Sequence, residues 1–425
     1  MINKKLVAVG LAGILALAAC GSDDEGSDDA AGDGGSEDTT TLRLWLNGED
    51  VPDEVVASLE EQFEADHPGV DLQFERQQWD GIVERLTTAL SSDDSPDVIE
   101  LGNTQAQTFE AAGALVDLTD ERDRLGGDDL LQSLVESGTY DGRFFGVPYY
   151  AGARIVTYRT DLFAAAGLEV PTTIEEFVEA GIALRAANAA TPNFSGIYFP
   201  GRNWHAMLSF VWDAGGDLAV QDGDEWVGEL DSPESVEGLA VVQRIMTEAN
   251  AAPADGDDAN DYIAFCNGEV GMLMGPGWKP GQIIGECPEM EANIGVFALP
   301  GSTAGESAPV FLGGSNLAVS ANSANPELAI DLLELMAAEE FQLDLVGLGL
   351  LPARTSLLEQ VGGSPAAEAQ AIAAQNSRFV PASEHWASVE GANILQDLGT
   401  AIAQGADIAT EAGRADSLIE DTLNQ

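Results

Sequence analysis

At 425 residues and 45% hydrophobic content, the chain is too long for one average domain and too apolar to be disordered, and it can bury two cores. Acidic residues number 73 against 17 basic ones, a formal net charge of −56. That balance excludes nucleic acid and anionic lipid surfaces as partners, because phosphate binding needs Lys and Arg clusters that this chain lacks; it fits either life in high salt, where screening reduces self-repulsion, or an ordinary acidic exported protein.

The chain begins with an address. Lys4 and Lys5 form a positive patch, Leu6 to Ala16 is a short apolar run, and Leu17-Ala18-Ala19-Cys20 precedes Gly21. This resembles the bacterial lipobox, which implies removal of residues 1–20 as a signal peptide and a lipid on Cys20. The apolar run is too short to span a bilayer, so the resemblance implies a protein anchored to the outer face of the cell membrane. Residues 21–41 are Asp, Glu, Gly, Ser, Thr and two Ala, with no large apolar side chain. Such a segment cannot bury enough surface to offset its ordering entropy, and a disordered acidic tether is expected.

Leu42-Arg43-Leu44-Trp45-Leu46 alternates like a strand and runs into the polar Asn47-Gly48-Glu49. Val55, Val56, Leu59 and Phe63 then recur at helical spacing, stopped by His67-Pro68-Gly69. A second strand (Val70, Leu72, Phe74), a second helix (Ile82, Val83, Leu86, Leu90) and a third strand, Val98-Ile99-Glu100-Leu101, follow. Alternation of this kind predicts a parallel α/β sheet. Ligands in such sheets sit beyond the carboxyl ends of strands, so Asn47 to Asp50 and Asn103 to Gln105 are the first cleft candidates.

Phe144 to Glu176 reads as strand, small-residue break at Ala151-Gly152-Ala153, second strand Ile155 to Tyr158, and a short helix stopped by Gly167, with Thr173 and Glu176 as a capping box for the next helix. The run GVPYYAGARIVTYRTDLFAAAGLEVPTTIEEF resembles the lobe-crossing signature of the type 1 extracellular solute-binding proteins, which deliver sugars to ABC importers. Ser95-Pro96-Asp97-Val98-Ile99, Ala112 to Thr119, Phe265 to Trp278, Gly313 to Ser320 and Leu351-Pro352-Ala353-Arg354 follow in the same family's order. The resemblance covers nearly all of the chain after Thr41.

What it implies is a two-lobed, type II periplasmic-binding-protein-like α/β fold with ligand held between the lobes. Lobe one would be 42–148 plus 311–349, and lobe two 149–310 plus 350–425. The implied partners are a sugar, an ABC permease pair and the membrane through Cys20, with the protein a monomer, no cofactor and no chemistry of its own. The loop Gly102-Asn103-Thr104-Gln105 is similar to that of binders for short β-linked disaccharides such as chitobiose or cellobiose.

Sugars offer apolar C–H faces and rings of hydroxyls, so a site needs aromatic platforms and polar side chains. The candidate set is Asn47, Glu49, Asn103 and Gln105 from lobe one, Tyr149, Tyr150 and Arg154 at the crossing, Trp204, His205, Trp278 and Trp386 from lobe two, and Gly314, Ser315, Asn316 and Arg354 from the returning segments. Trp204, Trp278 and Trp386 stand in turn-like polar contexts, and the resemblance puts Trp278 and Trp386 where sugar binders stack a ring. Trp45 and Trp212 read as core, Trp226 as a surface hairpin residue, and Trp79 either way. Arg154, a departure from the family, could fix a ligand hydroxyl or pair with a cleft carboxylate. Cys266 and Cys287 are an even pair in an oxidising compartment and read as a disulfide worth roughly 3 kcal/mol, or as two buried thiols. His67, His205 and His385 are scattered, so no metal site is expected. The rival readings are a secreted, lipid-anchored carbohydrate-active enzyme, or a binder of a non-sugar solute.

Overall fold

A computed structural model describes residues 39–425 apart from Asp93 and Asp224, so Cys20, the leader and almost all of the acidic tether lie outside the described residues. Three parallel strands, Thr40–Asn47, Val70–Gln77 and Val98–Gly102, are each followed by a helix: Asp53–Asp66, Ile82–Leu90 and Ala106–Ala111. The first strand lies between the other two. Leu42, Leu44 and Leu46 point to one face and are buried, while Trp45 points to the other and packs against a second cluster with Ile82, Leu86 and Phe109. Every residue of Val98–Gly102 is buried, as expected for a strand covered on both faces. Val56, Leu59 and Phe63 form the buried stripe of the first helix.

The strand Val147–Arg159 is 13 residues long, more than twice the ordinary length. Its first half pairs with Val310–Val319, from Leu317↔Val147 to Leu312↔Ala153. Its second half pairs with Val270–Pro276 and Ile294–Phe297. Val310–Val319 in turn pairs with Val98–Gly102. Two strands thus carry the sheet from the N-terminal βα units into the rest of the molecule. The break expected at Ala151-Gly152-Ala153 is absent: the strand runs through, and the small residues provide room rather than flexibility. Gly167, at φ +66°, ends the short helix as expected. Thr173 caps the next one by accepting the Glu176 N–H, although the Glu176 carboxylate returns to the Thr172 N–H instead of Thr173.

One hydrophobic core draws on residues between Leu42 and Tyr150 and between Leu317 and Leu350. Another draws on Val156 to Phe311 and on Trp386 to Leu423. A smaller cluster, with Ala151, Ala153, Ile155, Leu312 and Leu351, lies on the strands that join them. Cys266 and Cys287 are bonded, 21 residues apart, and tie the helix Asp261–Cys266 to the end of Lys279–Glu286. The bridge therefore closes the segment that carries Trp278.

Candidate functional site

Side chains alternate along the joining strands, and the two faces differ in chemistry. Tyr149, Ala151, Ala153 and Ile155 point one way. Tyr149 is fully buried in the first core beside Phe341, with ring centroids 6.2 Å apart, so it is a core residue and not the cleft residue expected. Tyr150, Gly152 and Arg154 point the other way, together with Ser315, Gly313 and Phe311 of the paired strand.

Tyr150 sits between two carboxyls. Its hydroxyl lies 3.1 Å from both Asp50 Oδ2 and Glu100 Oε1. Glu100 Oε2 accepts the Asn47 N–H at 2.7 Å, and Asn47 Nδ2 donates to the Glu100 carbonyl at 2.9 Å. Burial pushes the Glu100 carboxyl up to about 7; the Asn47 N–H and the Ser315 hydroxyl oppose the rise, and the charge of Asp50 adds to it. Burial also raises Asp50, against the pull of Tyr150, the Lys279 charge, and the indole N–H groups of Trp278 and Trp79. The Trp278 ring is half-buried and stands edge-on to Tyr150, with centroids 5.9 Å apart at 88°. It occupies the space that Gly152 leaves, because a Cβ there would lie 2.1 Å from Trp278 Cζ3. Gly48, at φ +63°, turns the first loop so closely over Trp79 that a Cβ would fall 2.7 Å from its indole nitrogen. Two indoles, a phenol and two carboxyls therefore meet where the strands Thr40–Asn47 and Val98–Gly102 end.

Sequence reasoning reached the loop but chose its neighbour. Glu49 is exposed, and Asp50 is the acid that turns inward. Glu100 was missed altogether, although a single acid inside the otherwise apolar Val98-Ile99-Glu100-Leu101 was a readable signal. Trp79 is resolved as a wall of this cluster.

A second group joins the segment after Val98–Gly102 to the C-terminal region. Gln105 Nε2 donates to Glu390 Oε2 at 3.3 Å, and Trp386 Nε1 donates to Glu390 Oε1 at 2.8 Å. The Tyr140 hydroxyl donates to Glu384 Oε2 at 2.6 Å, and the Thr108 hydroxyl to the Glu384 carbonyl. Burial raises Glu390, opposed by hydrogen bonds from Thr104, Trp386 and Gln105. Asn103 is committed elsewhere: its N–H donates to the Gly314 carbonyl and its Nδ2 to the Leu312 carbonyl, both at 3.0 Å. It clips the first sheet to the joining strand. Trp386 is 1% exposed and Trp204 4%, and both lie in the second core with ring centroids 6.5 Å apart. Neither is the open platform that its turn-like context suggested, because the helices Trp204–Asp213 and Trp386–Gly391 turn these rings inward.

Arg154 resolves to a pairing role. Its guanidinium lies 3.5 Å from Asp258 and stands over the Phe311 ring at 5.9 Å. Burial lowers it, and Asp258 and Asp261 oppose that. His205 stacks on Trp204 at 3.8 Å and near Phe311 at 4.9 Å; burial and the Arg154 charge hold it well below the usual range, so it is neutral. Lys279 pairs with Asp261 at 2.8 Å just below.

Among the returning segments, Ser315 faces Glu100, and Gly314 contributes the carbonyl that Asn103 reaches. Asn316 follows a register shift in the strand and donates to Ser137 Oγ at 2.8 Å, away from the cluster. Arg354 donates to the Ala337 carbonyl at 2.7 Å and pairs with Asp129 at 3.2 Å, so it braces helix ends rather than a ligand.

The model of the bacterial extracellular solute-binding proteins matches residues 48–343. The chain is 35% identical over the full length of both proteins to the diacetylchitobiose binding protein DasA of Streptomyces coelicolor. It is 26% identical to the lactose-binding protein of Rhizobium radiobacter, covering 70% of this chain and 71% of that one. Its fold matches the GacH receptor of Streptomyces glaucescens, solved unliganded and with acarbose, at a TM-score of 0.81 and 21% identity, over 91% of this chain and 99% of the receptor. The two-lobed α/β architecture is thus shared, and the chain belongs to the bacterial extracellular solute-binding protein family.

Proposed function

We propose that the protein captures a di- or oligosaccharide outside the cell and delivers it to an ABC import permease, with N,N′-diacetylchitobiose as the first candidate ligand. The observation that carries this is the cluster of Trp278, Trp79, Tyr150, Asp50 and Glu100 at the sheet junction. Trp278 and Trp79 offer half-buried aromatic faces beside the Asp50 carboxylate, the two things a sugar ring needs, while Tyr150 and Glu100, 2% and 1% exposed, brace them from behind. The full-length likeness to a diacetylchitobiose binder supports the choice of sugar.

In this reading the two cores are the cores of two lobes, divided near 148 and 349, and the joining strands are the hinge. Ligand between the lobes favours the closed form, and the permease reads that form. Gln105 with Glu390, and Tyr140 with Glu384, are then contacts made across the cleft on closure. Cys20 carries the lipid, the tether ends before the strand that begins at Thr40, and the protein acts as a monomer without catalysis. Support for the last point is that Glu100, 1% exposed and committed to Asn47 and Tyr150, cannot reach a glycosidic oxygen.

A thermal-shift and calorimetric panel of diacetylchitobiose, cellobiose, lactose, maltose and their monosaccharides tests the reading. A ligand at a hundredfold over its Kd should stabilise the protein by about 2.7 kcal/mol. If no sugar shifts the melt while an amino acid or metal chelate does, the reading fails.

A further inference from the structure

Behind the joining strands, on the face opposite Tyr150 and Gly152, lies a cavity of about 440 Å³, within the range of small-molecule sites. Ala151, Leu312 and Leu351 form its floor, and these residues sit on the paired strands that join the two cores. Leu358 and Val361 form one wall, and Ala371 and Ala374 of the helix Pro365–Ala374 the other. Leu358 is 38% exposed, so the cavity opens to solvent along this wall. Glu368 stands at the lining as its charged group.

The helix that walls this cavity also touches the sugar-facing side. Gln370, 1% exposed, donates to the Gly349 carbonyl at 3.1 Å. It fills the space beside Gly277, where a Cβ would fall 1.7 Å from Gln370 Cδ. Gly277 is the residue before Trp278. A molecule that moves the helix therefore moves Gln370 against the backbone that carries Trp278.

We propose that this cavity is a second ligand site, for a single-chain amphiphile with a cationic head, and that its occupancy is transmitted to Trp278 through the helix Pro365–Ala374. The apolar floor and walls take the chain. Glu368 and the net charge of −56 select the head, since an anionic head would meet like charge. The site stands on its own observations, whereas the transmission rests on the sugar-binding reading.

The test titrates the full mature protein with decyltrimethylammonium, below its micelle concentration, and in parallel with decanoate. Saturable binding of the cation, about tenfold or more tighter than the anion, is expected. Ala371→Trp, at an exposed lining position, and Ala374→Phe should each fill the cavity and abolish it. Unchanged uptake by either variant, with its melting temperature retained, overturns the site; equal binding of decanoate overturns the choice of head. A dimer of the parent chain that Ala371→Trp dissolves would assign the face to a second copy and also overturn it. At saturating probe, diacetylchitobiose affinity should change about fivefold, and an unchanged value overturns the transmission. Because the probe titration is read without sugar, failure of the sugar-binding reading leaves the result on the site intact.

Discussion

Trp278 and Trp386 stand in similar polar turns, and each ring stands beside a buried acid whose carboxyl is raised by burial: Asp50 beside Trp278, and Glu390, which accepts the Trp386 indole N–H. Their surroundings differ. Trp278 is half-buried over Gly152 at the sheet junction, while Trp386 is 1% exposed within the second core. A polar turn reports where the backbone lies, not where the ring goes. The direction of a ring is decided by the helix it opens and by the space a distant glycine leaves.

The sharpest separation is in stability. Trp386→Ala should lower unfolding free energy by about 3–5 kcal/mol, the cost of emptying a packed core position, and it also strips Glu390 of a donor. Urea denaturation measures this directly. A loss under 1 kcal/mol would mean that the ring is not core.

Trp278→Ala should do the reverse, costing less stability than Trp386→Ala and weakening sugar binding instead. A stacked ring contributes about 0.5–1.5 kcal/mol beyond its buried area, and burial of its face roughly another 1–2 kcal/mol. Calorimetry should therefore show binding weaker by roughly tenfold to a few hundredfold. Normal affinity in a folded variant would remove Trp278 from the site.

Much of this architecture was legible beforehand. Leu42, Leu44 and Leu46 alternate, Val56, Leu59 and Phe63 recur at helical spacing, and the order of family segments indicated two lobes. The bonded pair Cys266–Cys287 followed from counting cysteines in an exported chain. The binding wall was legible only to the level of loops. Asn103 looked like a ligand donor, yet its nitrogen is spent on a strand 209 residues away, and no local pattern contains such a partner. Tyr149 and Tyr150 are adjacent and chemically alike; only the pleat decides that one enters the core and the other meets Asp50. Arg354 fitted a family segment but answers to Asp129 and a helix end, a contact set by tertiary packing.

The acids around Trp278 also give a pH signature. Glu100 ionises near 7 in the folded protein against an ordinary value of 4.5. Between those values the unfolded chain loses its proton first, so the folded state holds more protons and stability falls as pH rises through the window. The loss from this residue is on the order of 3 kcal/mol and is complete above about pH 7. Glu100→Gln keeps the shape and the acceptor for Asn47 but removes the titration. Denaturation between pH 4.5 and 8 should show a shallower decline in the variant, and an unchanged slope would place the titration elsewhere.

The smallest expected effect separates two neighbours in one loop. Asp50 is turned inward, where Tyr150, Trp278 and Trp79 reach its carboxyl; Glu49 beside it is exposed. Asp50→Asn halves the acceptor capacity and removes a charge, and hydrogen bonds to charged groups contribute about 1.5–3 kcal/mol. Sugar affinity should then fall by roughly tenfold to a hundredfold. Glu49→Gln changes the charge by the same amount only one residue away, but water and salt screen it, and exposed substitutions usually stay within about 0.5 kcal/mol. Its affinity should therefore stay within about twofold of the parent. Comparable losses in both variants would show that net charge of the loop, rather than the inward carboxyl, governs binding. A loss in Glu49→Gln alone would mean that the loop turns the other way round when sugar is bound, with Glu49 meeting the hydroxyls and Asp50 only bracing Trp79.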